Sequence, residues 1–120
     1  MSANPEQGDV GNIRHLQEEI SYWISRNFGN DNELATVGGL AEEVGEVCRA
    51  AVKRSQGIRG TREEWDAELR KEVADVFIKL VDVAQFYGFD LADAIAARWD
   101  TIKRRDWKRD PQGHGIGGAS

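Results

Sequence analysis

The sequence predicts an all-α protein, a bundle of four helices, on three observations. Apolar residues recur at intervals of three and four along four stretches, residues that start or stop helices bracket each stretch, and no segment alternates apolar and polar residues between turn signals. The connections between the stretches are short, as a bundle requires, and no internal repeat is visible.

The first helix carries Ile13, Leu16, Ile20, Trp23, Ile24 and Phe28 at helical spacing, and Gly29 follows as a left-handed stop. Asn30 and Asp31 are placed to cap a second helix, whose apolar stripe runs through Val37, Leu40, Ala41, Val44, Val47, Cys48 and Ala51 to an end near Arg54. After the linker SQGIRG, Thr61 and Glu64 have the spacing of a capping box for a third helix over 62–87. Gly88 fits its stop. Asp90, with Asp93 three residues on, caps a fourth helix whose stripe is Leu91, Ile95, Trp99 and Ile102, ending near Arg105. Residues 1–11 and 108–120 are polar and contain glycine and proline, which predicts flexible ends around a helical domain over 12–107.

A chain of 120 residues with 40% hydrophobic content supports one modest core without disulfides. So short a bundle leaves much apolar surface uncovered, which predicts assembly into a homodimer or homotetramer. Sixteen basic and 21 acidic residues give a net charge of −5, which disfavours sequence-general nucleic acid binding. Cys48 is the only cysteine, the start MSANPEQGDVGN lacks a signal peptide's basic and apolar regions, and no apolar run reaches membrane-spanning length. The expectation is a soluble cytoplasmic protein with no membrane partner.

The second helix contains Glu42, Glu43 and Glu46, and the third contains Glu72 and Asp75. Residues three or four apart share a helix surface, so Glu43 and Glu46 can aim at one point and Glu72 and Asp75 at another; antiparallel packing lets those points coincide. Gathered carboxylates repel one another unless a cation fills the gap. An all-oxygen set without histidine or thiolate suits magnesium, manganese or calcium, with magnesium preferred because it keeps waters and shares its shell with phosphates. Glu42 and Glu46 lie nearly opposite the second helix's apolar stripe, with Glu43 to one side. The third helix has a broad apolar arc, Leu69, Val73, Val76, Phe77, Leu80, Val81 and Ala84, which predicts cover on more than one side. Glu72, Asp75, Lys79, Asp82 and Phe86 form a narrow stripe at its edge. Gly38, Gly39 and Gly45 each cost the second helix about 1 kcal/mol relative to alanine, which either close approach by a partner or a late helix start explains.

The EExxE motif of residues 42–46, followed after 25 residues by the ExxD motif of 72–75, resembles the signature of MazG-like pyrophosphohydrolases. The similarity spans roughly residues 13–107 and includes GLAEEVGEV, EVADVFIKLVDVA and GFDLADAI. It implies an all-α enzyme that hydrolyses nucleoside triphosphates between the α and β phosphates, giving monophosphate and pyrophosphate. By the motif, Glu43, Glu46, Glu72 and Asp75 correspond to magnesium ligands, with manganese as a substitute, and Glu42 to a further ligand or the base that orients the attacking water. Cationic partners for the triphosphate are sought in Lys53, Arg54, Lys79, Lys103, Arg104 and Arg105. A base pocket is expected from His15, Glu19 or Trp23 on the first helix, with a neighbouring subunit contributing, although Trp23 also fits the core stripe. His114 could fold over substrate from the tail. Ile102 stands where members of the family often carry asparagine.

Three other readings compete. A phosphoribosyl-ATP pyrophosphohydrolase would share the motifs and metal chemistry. A carboxylate-bridged di-iron bundle expects Glu-x-x-His pairs, which neither His15 nor His114 supplies. A noncatalytic regulatory bundle would keep the fold without turnover.

Overall fold

The computed structural model describes residues 12–29 and 32–113. Its regular structure consists of α1 (Ile13–Phe28), α2 (Glu33–Gln56), α3 (Arg62–Tyr87) and α4 (Leu91–Ile102), with no strand among the described residues. Each helix starts on a side-chain cap. Asn12 accepts from the His15 amide, Asn32 from the Ala35 amide and Asp90 from the Asp93 amide, while Thr61 and Glu64 form the reciprocal capping box. The cap expected at Asn30 and Asp31 falls outside the described residues, and Asn32, immediately before α2, does that work. Gly57 and Gly88 end α2 and α3 at φ 69° and 75°. α2 runs two residues past Arg54, whereas α4 stops at Ile102 and turns carry the chain on from there. Beyond residue 107, turns continue to Gly113, with Asp106 Oδ1 accepting from the amides of Lys108 and Arg109. His114 lies outside the described residues.

α2 and α3 form an antiparallel hairpin with its register readable along its length. At the open end Tyr87 donates to Glu33 at 2.6 Å, further in Gly39 faces Lys79, and near the loop Arg54 pairs with Asp66. There the Trp65 indole donates to the Ile58 carbonyl at 3.0 Å, and the Arg49 guanidinium lies over its ring. α1 packs on α3 and α4 across their junction. The Gln17 amide donates to the Phe89 carbonyl and accepts from the Leu91 amide, and Arg14 reaches Asp90 and Asp93, both at 2.7 Å.

The buried apolar set is small: Ile24, Ala50, Trp65, Val81 and Ala84. Two helical faces differ from the expected packing. On α2 the face turned to α3 carries Thr36, Gly39, Glu43, Ala50 and Arg54, while Val37, Ala41, Val44, Cys48 and Ala51 of the expected stripe are exposed. On α3 cover is divided between two sides, because Val81 and Ala84 of the apolar arc and Glu72 and Asp82 of the polar stripe are buried, while Val73, Leu80 and Phe86 are exposed. The seam between the two helices thus holds polar groups as well as apolar ones, and part of each apolar face is left outward. On α1 only Ile24 of the stripe is fully buried; Trp23 is 54% exposed and stacks edge-on against Phe28.

Candidate metal centre

The hairpin register brings acids from both helices together. Glu43 of α2 and Glu72 and Asp75 of α3 each offer a carboxylate oxygen, and the three oxygens lie within 4.8 Å of one another. Glu43 and Asp75 are half-buried and Glu72 is buried. Burial, and next the charge of Glu68, push the Glu72 carboxyl above its ordinary value; Lys71 opposes this, and Asp75 and Glu46 add to it. Close, partly desolvated carboxylates of this kind are unfavourable by themselves and become favourable around a cation. The donor set is all oxygen and partly exposed at Glu43 and Asp75, which fits a hard divalent ion that retains waters.

Glu46 and Glu42 are exposed and stand outside the three-oxygen group, although the charge of Glu46 is felt at Glu72. Of the cations named from sequence, Lys79 lies in the same seam. It follows Asp75 by one turn and sits 3.2 Å from Asp82. Arg54 is engaged with Asp66, and it and Lys53 stand about 15 Å along α2 from Glu43 at 1.5 Å per residue. Lys103 and Arg104 pair with Asp100, and Arg105 lies over the Trp107 ring, all on a segment continuous with α4, which packs on α1. His15 is exposed, 4.0 Å from Glu18, and Glu19 and Trp23 are exposed. Ile102 closes α4 at the surface.

Gly39 accounts for one of the three helix glycines, since a Cβ there would collide with Lys79; Gly38 and Gly45 face open space within this chain. Sequence reasoning passed over two groups in the seam, Asp82 and Thr36. Asp82 was visible as a member of the polar stripe without a role. Thr36 had a signal as well, because it precedes Gly39 and Glu43 by three and seven residues and so shares their face.

An all-α hairpin that brings carboxylates from two helices together offers a group of oxygens that could hold a metal ion. Residues 31–109 match the model of the MazG nucleotide pyrophosphohydrolase domain, and the chain belongs to that family. A protein of cyanophage S-2L named dATP/dGTP diphosphohydrolase is 32% identical over 101 residues, covering 84% of this chain and 83% of that protein. A protein of the same name from Salmonella phage PMBT28 is 32% identical over 100 residues, covering 83% of this chain and 29% of that protein, so the chain spans under a third of that relative's length. No solved structure matches the chain significantly.

Proposed function

We propose that this chain is a magnesium-dependent hydrolase that cleaves nucleoside triphosphates between the α and β phosphates, releasing monophosphate and pyrophosphate. The observation that carries this reading is the meeting of Glu43, Glu72 and Asp75 oxygens within 4.8 Å, from two helices of a MazG domain. The names of the two phage relatives make deoxypurine triphosphates the first substrates to try.

Glu43, Glu72 and Asp75 would hold the ion, and Glu46, exposed one turn along from Glu43, completes the set when its side chain turns inward. When bound, magnesium supplies neutralisation of phosphate charge and acidification of a bound water. Glu42, exposed beside Glu43, orients the attacking water and receives its proton as the bond from the α phosphorus to the bridging oxygen breaks. Lys79 is the substrate contact nearest the acids in sequence and register. Lys53 and Arg54 serve an extended phosphate chain from the far end of α2, and Lys103, Arg105, His15 and Trp23 act on a site only through a neighbouring subunit. No helix among the described residues is long and apolar enough to cross a membrane, which suits the cytoplasmic setting we assign.

The test is product identification: purified protein with magnesium and a panel of triphosphates that includes dATP and dGTP. Pyrophosphate as first product is expected. Orthophosphate as first product, or no metal-dependent turnover on any nucleotide, overturns the reading.

A further inference from the structure

Seven residues beyond Asp75, the seam between α2 and α3 holds a buried polar group that the hydrolysis does not use. The Asp82 side chain is 7% exposed and holds the Lys79 ammonium at 3.2 Å, with Lys79 itself 29% exposed. Thr36 is 0% exposed and its Oγ1 has no hydrogen-bond partner. The register pairs these residues. Glu43 meets Asp75 and Gly39 faces Lys79, so Thr36, three residues before Gly39, stands opposite Asp82, three residues after Lys79.

Stability does not account for this cluster. A buried ion pair is commonly no better than apolar residues of similar volume, and a buried hydroxyl without a partner costs free energy outright. Such a group in a native structure calls for a partner that is absent. Its position says which. Asp75 and Asp82 are separated by about 10.5 Å along α3 at 1.5 Å per residue, about the length of a nucleoside measured from its phosphate to the far edge of its base. With the phosphates at Glu43, Glu72 and Asp75, the base edge reaches Lys79 and Asp82. Gly39 leaves room beside it for the Lys79 side chain as it lies here.

The donors and acceptors narrow the base. Lys79 offers donors and Asp82 two acceptor oxygens side by side. Guanine presents the complement: the O6 acceptor, then the N1 and N2 donors. Adenine sets its N1 lone pair against the carboxylate, and the pyrimidines have no two adjacent donors on that edge. On the reading of the acids as the phosphate end of the site, we infer that Lys79 and Asp82 form a guanine-reading subsite, Lys79 donating to O6 and Asp82 accepting from N1–H and N2–H, with Thr36 Oγ1 bonding to the Asp82 carboxylate once Lys79 turns to the base. In the free protein Lys79 occupies Asp82 in the base's place.

The measurement is kcat/KM with magnesium for dGTP, dITP and dATP, since hypoxanthine keeps O6 and N1–H and lacks only the 2-amino group. The wild type should favour dGTP over dITP by about tenfold or more, the worth of one hydrogen bond to a charged group. Asp82→Asn, nearly the same size, should bring that ratio close to one while the helical spectrum is kept. Lys79→Met should slow dGTP and dITP alike and leave their ratio standing. Equal rates for dGTP and dITP in the wild type overturn the inference and leave the pyrophosphohydrolase reading intact. So does an Asp82→Asn protein that melts lower with its ratio unchanged, which makes the pair purely structural. Calorimetry with dGMP and dIMP separates the two readings from the other side. If dGMP binds more tightly in an Asp82-dependent way but no triphosphate is hydrolysed, the subsite stands and the catalytic reading falls.

Discussion

Gly39 on α2 and Lys79 on α3 fit together only because residue 39 has no side chain: a Cβ there would overlap Lys79 Cε and stand 2.8 Å from Nζ. The atoms in the way are the flexible end of a lysine, so they can yield without moving either helix. Gly39→Ala should therefore keep or raise the melting temperature, with up to about 1 kcal/mol gained in helix propensity, while turnover on guanine nucleotides falls as Lys79 is pushed aside. Gly38→Ala, at a position with open space around it, should stabilise by about 0.5–1 kcal/mol. A large loss of folding in Gly39→Ala would mean that the two backbones, rather than Lys79, need the gap.

Glu72 is the buried member of the acid group, and without an ion it is held against burial and its neighbours' charge. Replacing it by Gln removes that opposition, so in chelator Glu72→Gln should melt above the wild type. Magnesium should reverse the order, since an ion bound at a hundredfold its dissociation constant adds about 2.7 kcal/mol to the wild type and little to the variant. Asp75→Asn and Glu46→Gln should likewise lose the magnesium shift and cut turnover by about a hundredfold or more. Equal magnesium shifts in all four proteins would place the ion elsewhere.

Much of this was legible in the sequence because it is written in local signals. Thr61 and Glu64, Gly88 and Asp90 act on backbone within four residues of themselves, and both ends of α3 and the start of α4 fall where those signals lie. The acid motifs were legible for the same reason, as one-turn spacings on two helices. Which face of α2 meets α3 was not. The hydrophobic stripe through Val37, Val44 and Cys48 marked a face for burial, but one chain buries Thr36 and half-buries Gly39 and Glu43 instead. Periodicity says that a face is apolar, never what will cover it. The pairing of Thr36 with Asp82 depends on hairpin register, which no local pattern encodes.

Arg14 and Asp90 tie α1 to the α3–α4 junction and give a pH test. The Arg14 hydrogen bond, helped by the Asp93 and Ala92 amides, holds the Asp90 carboxyl below its ordinary 3.8. A carboxylate with a lowered folded value contributes stability that is fully present above the unfolded value and lost as pH falls through the folded one. Asp90→Asn keeps the helix cap and removes the charge. It should melt lower than the wild type near neutral pH, and the gap should close as pH drops below about 3.8. A gap unchanged by acid would assign the loss to cap geometry instead.

The outward apolar faces predict an assembly. Val37, Val44 and Val52 on α2 are 42%, 45% and 48% exposed, and Val73 on α3 is 55% exposed. Exposed apolar residues recurring along one helix mark a contact with another molecule when they join into a patch. A second copy is the simplest cover, because two-fold pairing lets one patch complete another of the same kind. Light scattering at tens of micromolar should give a dimer or tetramer. Val37→Glu with Val52→Glu, which places charge on that face away from the acids, should shift the protein toward monomer while its helical spectrum remains. If a second copy carries His15, Trp23, Lys103 or Arg105 into the site, the shift should also lower activity. A monomeric wild type with full turnover would confine the whole reaction to the α2–α3 seam.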